Sequence, residues 1–175
     1  ATVPVLWDKQ RRRIVNNESA DILRILNDGF GALARGKTEL RPAKLLAEIT
    51  ALAGHLYTEL NNGVYRAGFA TTQKAYDEAV AQVFACLNGM EARLEEGGPY
   101  LLGQQLTEVD LRLFVTLVRF DVAYVGLFKC NWRRIADYPA LNAYMLRILN
   151  LPGMRETVRI DHIKAGYYSI KALNP

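Results

Sequence analysis

The sequence predicts a mainly α fold: a β-hairpin with one short helix, a glycine-containing linker, then an all-α bundle of about five helices. Three observations predict it. Residues 3–16 hold two short β-branched-rich runs around a polar turn. After residue 42, apolar residues recur at helical spacing. The breaks between these stretches fall at Gly, Pro and Asn-Gly pairs.

The elements follow in order. Val3 to Trp7 and residues 12–16 read as two strands joined through Asp8-Lys9-Gln10-Arg11. Two strands alone are marginal in water, so this hairpin needs helices or further strands beside it. Ser19 opens a short helix through Ile22, Leu23, Ile25 and Leu26, which stops near Asn27-Asp28-Gly29. A linker with Gly29, Gly31 and Gly36 leads to Pro42, which suits a first helical position. Leu45, Leu46, Ile49, Leu52, Leu56 and Leu60 form the next stripe, ended by Asn61-Asn62-Gly63. Thr71 or Thr72 caps a long helix to about Glu96, broken by Gly97-Gly98-Pro99. Residues 107–123 are apolar nearly all round, the pattern of a central buried helix. Pro139 opens another helix, and a last helical stretch follows Pro152-Gly153.

Composition excludes several classes. A chain of 175 residues that is 50% hydrophobic can bury a core and is not disordered. No apolar run approaches the ~18 residues of a membrane-spanning helix. The net charge of +4 is mild and Arg11-Arg12-Arg13 is the one basic triplet, so nucleic acid is not an expected partner. Cys86 and Cys130 are too few and too far apart for a disulfide scaffold or zinc site, and a reducing cytoplasm fits them. His55 and His162 lack carboxylates at ligand spacing, so no metal is expected; His162 beside Asp161 reads as a cap or packing residue. The Ala1-Thr2-Val3-Pro4 start, with neither Met nor a signal pattern, reads as an internal boundary of a longer product.

Three local signals carry chemistry. Leu106-Thr107-Glu108-Val109-Asp110-Leu111 is a capping box with a hydrophobic staple, a structural signal at the start of the central helix. Ser19 is a natural cap whose hydroxyl, with the free N–H groups after it, suits a carboxylate, while Glu18 suits an ammonium group. Together they suit a zwitterion such as an amino acid's α-carboxylate and α-amine; an ordinary helix cap is the plain alternative. Pro4 suits a sheet edge or a cis bond.

Taken together, a strand opened by Val-Pro, Glu-Ser at a helix start, a linker and a Thr-x-x-Asp box resemble a cytosolic glutathione transferase. Longer strings narrow this. Val5-Leu6-Trp7-Asp8, Ile14-Val15-Asn16-Asn17-Glu18-Ser19, Asn62-Gly63-Val64-Tyr65-Arg66-Ala67-Gly68-Phe69-Ala70, Leu117-Val118-Arg119-Phe120-Asp121 and Asp161-His162-Ile163-Lys164 resemble the glutathionyl-hydroquinone reductases, the Xi class. The resemblance implies a partial thioredoxin-like domain over 1–28, a linker over 29–41 and a glutathione transferase C-terminal-like helical domain over 42–175.

It also implies an activity. Such enzymes reduce glutathionyl-hydroquinones to hydroquinones and release glutathione disulfide, with glutathione as co-substrate. Their cysteine nucleophile lies in a Cys-Pro-Trp-Ala-type motif that this sequence does not contain, so these residues alone are expected to be inactive. By resemblance, the Val3 backbone pairs with the cysteinyl part of glutathione, Glu18 and Ser19 hold its γ-glutamyl end, and Tyr65 and Tyr167 line the aromatic substrate's pocket. Tyr168 competes with Tyr167 for that place, because Gly166 stands where the family often has His, and Tyr124 is a weaker third candidate. Cys86 and Cys130 are spectators. A cytoplasmic homodimer is implied, with glutathione and a quinol-type arene as its small-molecule partners. The alternative is a non-catalytic glutathione transferase-like interaction module.

Overall fold

Alternation and a polar turn bring the first sixteen residues into a hairpin, and helical periodicity organises nearly everything after them. The computed structural model describes residues 3–33, 36 and 38–174. Ala1 and Thr2 of the expected boundary, Ala34, Arg35 and Lys37 of the expected linker, and Pro175 lie outside the described residues. The chain divides into two compact units, Ala1–Pro42 and Ala43–Pro175.

In the first unit, β1 (Leu6–Asp8) pairs antiparallel with β2 (Arg13–Asn16), with a register irregularity between Leu6 and Trp7. The strands are shorter than the apolar runs suggest. The turn closes where Asp8 Oδ1 accepts from the Arg11 N–H at 2.9 Å. The Val3–Pro4 peptide is cis. Helix α1 (Ser19–Asp28) follows, and neither it nor the hairpin buries any residue fully. Ser19 is not the cap: Glu18 occupies that position with extended backbone, and Ser19 is the first helical residue. The cause lies upstream. Asn16 Oδ1 accepts the Glu18 N–H at 2.6 Å, an Asx turn that starts the helix one residue early.

The second unit holds the core. A short 3₁₀ turn at Ala43–Leu45 leads into α2 (Leu46–Leu56), so Pro42 precedes a 3₁₀ turn rather than opening the α-helix. The expected stop at Asn61-Asn62-Gly63 does not occur. A π-helical turn over Tyr57–Asn61 runs into α3 (Gly63–Gly68), with Asn62 in helical conformation. Two things favour continuation. The Asn61 side chain donates to the Arg112 carbonyl (3.1 Å) and Thr116 Oγ1 (2.6 Å) instead of closing a turn. Gly63 has no side chain where one would stand 2.9 Å from Val83 Cγ2, so α3 can lie close on the next helix.

Helix α4 (Gln73–Gly97) is capped by Thr72, whose Oγ1 accepts the Ala75 N–H at 3.2 Å. It buries Val80, Val83, Phe84, Leu87 and Met90 on one stripe. Helix α5 (Glu108–Arg119) carries the predicted capping box and continues as a π-helical turn over Phe120–Tyr124. It is not apolar all round, because Val115 is 47% exposed and Val118 and Arg119 are half-buried. Helix α6 (Pro139–Leu149) has Pro at its start, and the buried Glu91 of α4 caps it by accepting the Ala140 (2.9 Å) and Leu141 (2.7 Å) N–H groups. The last helical stretch is two pieces, α7 (Met154–Thr157) and α8 (Ile160–Tyr168). Among the described residues no helix is long and apolar enough to cross a membrane.

Candidate active site

Each π-helical turn accommodates one extra residue, so the side chains after it point away from the preceding α-helical stripe. Both such turns in this chain lead to a tyrosine at one end of the helical unit. Tyr65 follows the first on α3, and Tyr124 closes the second. Tyr167 comes from α8. The Tyr167 hydroxyl lies 2.7 Å from that of Tyr65 and 2.8 Å from that of Tyr124. Three residues from distant parts of the chain thus share one chain of hydrogen bonds.

Phe128 is fully buried beneath them. Its ring centroid is 5.1 Å from Tyr65, 5.2 Å from Tyr124 and 5.8 Å from Tyr167. Such packing fixes ring orientation as well as burying area. Above the cluster lies an open groove of about 420 Å³, with Tyr65 and Tyr167 on one side, Ile163 and Ile170 on another, and Arg119 and His162 at its edge. Tyr65 is 40% exposed toward solvent, whereas Tyr124 is buried. The arrangement can hold an aromatic ring and offer it a phenolic donor.

Burial first, and then the bond to Tyr167, push the Tyr65 hydroxyl from 10.0 up to about 12. Burial likewise raises Tyr124, strongly. The folded chain therefore holds the Tyr65 proton more tightly than the unfolded chain. That contribution to stability is complete below pH ~10 and is lost as pH rises toward 12. Tyr65→Phe should flatten the fall of the urea midpoint between pH 10 and 12; a slope equal to that of the unaltered chain would contradict this placement.

Tyr65 and Tyr167 are thus brought together as the resemblance implies. Tyr168 faces elsewhere, its hydroxyl packed near Gly126. His162 is neither cap nor packing residue. Its side chain is 72% exposed, with Nε2 3.7 Å from Asp161 Oδ2. Sequence reasoning missed Arg119 and His162 as groove residues, although both stand inside the strings that carried the resemblance. Val3, Glu18 and Ser19 are exposed in the first unit, Glu18 and Ser19 at the α1 start. Cys86 and Cys130 are both buried, and burial pushes each thiol up to about 12, which leaves little thiolate at neutral pH. Among the described residues no cluster of His, Cys, Asp or Glu could hold a metal ion.

Comparison with known proteins agrees with this geometry. Residues 73–147 match the glutathione S-transferase C-terminal domain. The chain is 51% identical to the glutathionyl-hydroquinone reductase YqjG of Escherichia coli K-12, over 99% of this chain and 53% of that protein. The glutathione-bound structure of YqjG superposes with a TM-score of 0.97, over 99% of this chain and 57% of the other. The Xi-class glutathione transferase structure from Phanerochaete chrysosporium is 48% identical, with a TM-score of 0.95 over 99% of this chain and 60% of that one. The chain belongs to the Xi-class glutathione transferase family. It spans about half the length of the curated relatives it matches. This Xi-class chain has the fold its sequence predicts: a helical bundle of the glutathione transferase C-terminal type, preceded by a β-hairpin and short helix.

Proposed function

We propose that this Xi-class chain forms the aromatic-substrate wall and part of the glutathione site of an enzyme that reduces glutathionyl-hydroquinones. The observation that carries the reading is the Tyr65–Tyr167–Tyr124 hydrogen-bond chain at the floor of an open groove. In this reading residues 1–28 belong to a thioredoxin-like domain, 29–41 are a linker and 42–175 are the helical domain of a homodimeric enzyme. Val3, Glu18 and Ser19 hold glutathione; the glutathione-bound relative, aligned over 99% of this chain, supports them.

The reaction balances as two exchanges. A thiolate attacks the glutathionyl sulfur, the sulfur–aryl bond breaks, and the ring carbon takes a proton, leaving hydroquinone and a mixed disulfide. Glutathione thiolate then attacks that disulfide and releases glutathione disulfide. The attacking thiolate is neither Cys86 nor Cys130, both buried and protonated. The tyrosines act on the ring. Tyr124 is buried and has no other hydrogen-bond partner among the described residues, so it donates to Tyr167. Tyr167 then donates to Tyr65, and the Tyr65 proton is left to point at a quinol oxygen as negative charge develops there.

The test is binding of a glutathionyl-hydroquinone to the 175-residue chain by calorimetry, together with turnover in added glutathione. Tyr65→Phe and Tyr167→Phe should each weaken binding about five- to tenfold, the value of one hydrogen bond. No hydroquinone should be released. Unaltered binding by both variants would refute the groove assignment, and turnover by this chain would refute the spectator role of the two cysteines.

A further inference from the structure

The tyrosine groove is apolar on its walls, but its edge carries charge, and that charge is uncompensated. Arg119 ends α5 and is half-buried. Its Nη1 donates to the Val115 carbonyl one turn back in the same helix. Among the described residues it makes no ion pair, unlike the neighbouring cations. Arg159 binds Asp161 through two hydrogen bonds, at 3.2 and 2.8 Å, and His162 stands 3.7 Å from the same carboxylate. Asp121, the other acid close in sequence, is engaged by the Ile135 (2.7 Å) and Ala136 (3.0 Å) N–H groups. Its carboxylate is therefore directed to the 3₁₀ turn at Ile135–Asp137.

Arg119 also stands at a junction. It lines the tyrosine groove and a second cleft of about 270 Å³ between α5 and the α7–α8 segment, walled by Phe114, Val118 and Val158. An aromatic ring lying against Tyr65 and Tyr167 would thus have a planar, permanently charged guanidinium at one edge, with free N–H groups and space beyond it for a substituent. A partly desolvated guanidinium is the group best matched to a carboxylate, which it can bind through two parallel hydrogen bonds. Its charge is also felt inside the groove, where it favours the ionised form of Tyr65.

We infer that Arg119 is a specificity-determining residue that selects hydroquinones carrying an anionic ring substituent, above all a carboxylate. The inference rests on reading the groove as the hydroquinone site, and it adds the substrate class to that reading. The neutral ring is held by the tyrosines and the aliphatic wall; the anionic group adds a charge-assisted contact that a neutral quinol lacks.

The experiment compares two probes of one ring, 2,5-dihydroxybenzoate and its methyl ester, by calorimetric titration of the 175-residue chain and its variants. The carboxylate probe should bind about tenfold tighter than the ester. Arg119→Gln should remove that preference while leaving ester binding unchanged, and Arg119→Lys should restore part of it. Tyr65→Phe should weaken both probes equally. The thermal midpoint of each variant, kept within a few degrees of the unaltered chain, excludes unfolding as the cause. Equal binding of both probes, each weakened by Tyr65→Phe, would overturn the role of Arg119 and leave the groove reading standing. Binding of neither probe would overturn both.

Discussion

Asp110→Ala should lower the stability of the helical unit by about 3–5 kcal/mol, enough to unfold a large share of the molecules. Its carboxylate is fully buried and takes four hydrogen bonds. The Thr107 N–H (2.7 Å) and hydroxyl (3.0 Å) come from the α5 start, the Leu101 N–H (2.9 Å) from the preceding loop, and the Tyr144 hydroxyl (2.9 Å) from α6. One charged group thus ties together a loop, a helix start and a second helix. Removing it strands buried donors, which costs more than the bonds themselves contribute. Burial, and then the Asp110 charge, hold Tyr144 well above its ordinary value, so that hydroxyl stays a donor at any physiological pH. Asp110→Asn should lose roughly half as much, because the amide keeps one acceptor but aims an N–H group at donors. Urea denaturation followed by circular dichroism reads both variants. An Asp110→Ala midpoint near that of the unaltered chain would show that water replaces the carboxylate at little cost.

Gly68→Ala should be destabilising by about 2–3 kcal/mol, against the ordinary gain from replacing a helical glycine. A Cβ at residue 68 would stand 2.5 Å from Phe128 Cγ and 2.8 Å from its Cδ1. Phe128 cannot give way easily. It is fully buried, and the rings of Tyr65, Phe69, Tyr124 and Tyr167 all pack on it. The displacement therefore reaches the tyrosine cluster, and aromatic-probe binding in the groove should fall at least tenfold. Gly89→Ala is the control. It lies mid-way along α4 with nothing within 4 Å of an added Cβ, and should gain about 0.5–1 kcal/mol with binding unchanged. Equal effects at the two positions would mean that the close approach of α3 to Phe128 relaxes freely.

Some of this was legible beforehand because the physics is local. The α5 capping box involves residues three apart, and α4 repeats its apolar stripe over some seven turns with Thr at its head. Other features misled for equally local reasons. Asn61-Asn62-Gly63 is a helix stop by composition, yet Asn61 spends its amide on α5, 51 and 55 residues away in sequence. Ser19 is a good cap by type, but an Asx turn at Asn16 had already set the helix start. The tyrosine pair was reached only through resemblance. Nothing in either segment alone tells that Tyr65 and Tyr167, 102 residues apart, end with their hydroxyls in contact. Arg119 was passed over because a cation at a helix C-terminus is ordinary by itself.

By itself the sequence determined the class of fold, the order of its elements and the family, since hydrophobic period, breakers and capping residues act within a few positions of one another. Tertiary structure alone decided which tyrosines meet, that two helices widen into π turns ahead of them, and that one arginine keeps its charge unanswered. Each of those outcomes depends on a partner far along the chain, and only packing brings such partners within hydrogen-bond reach.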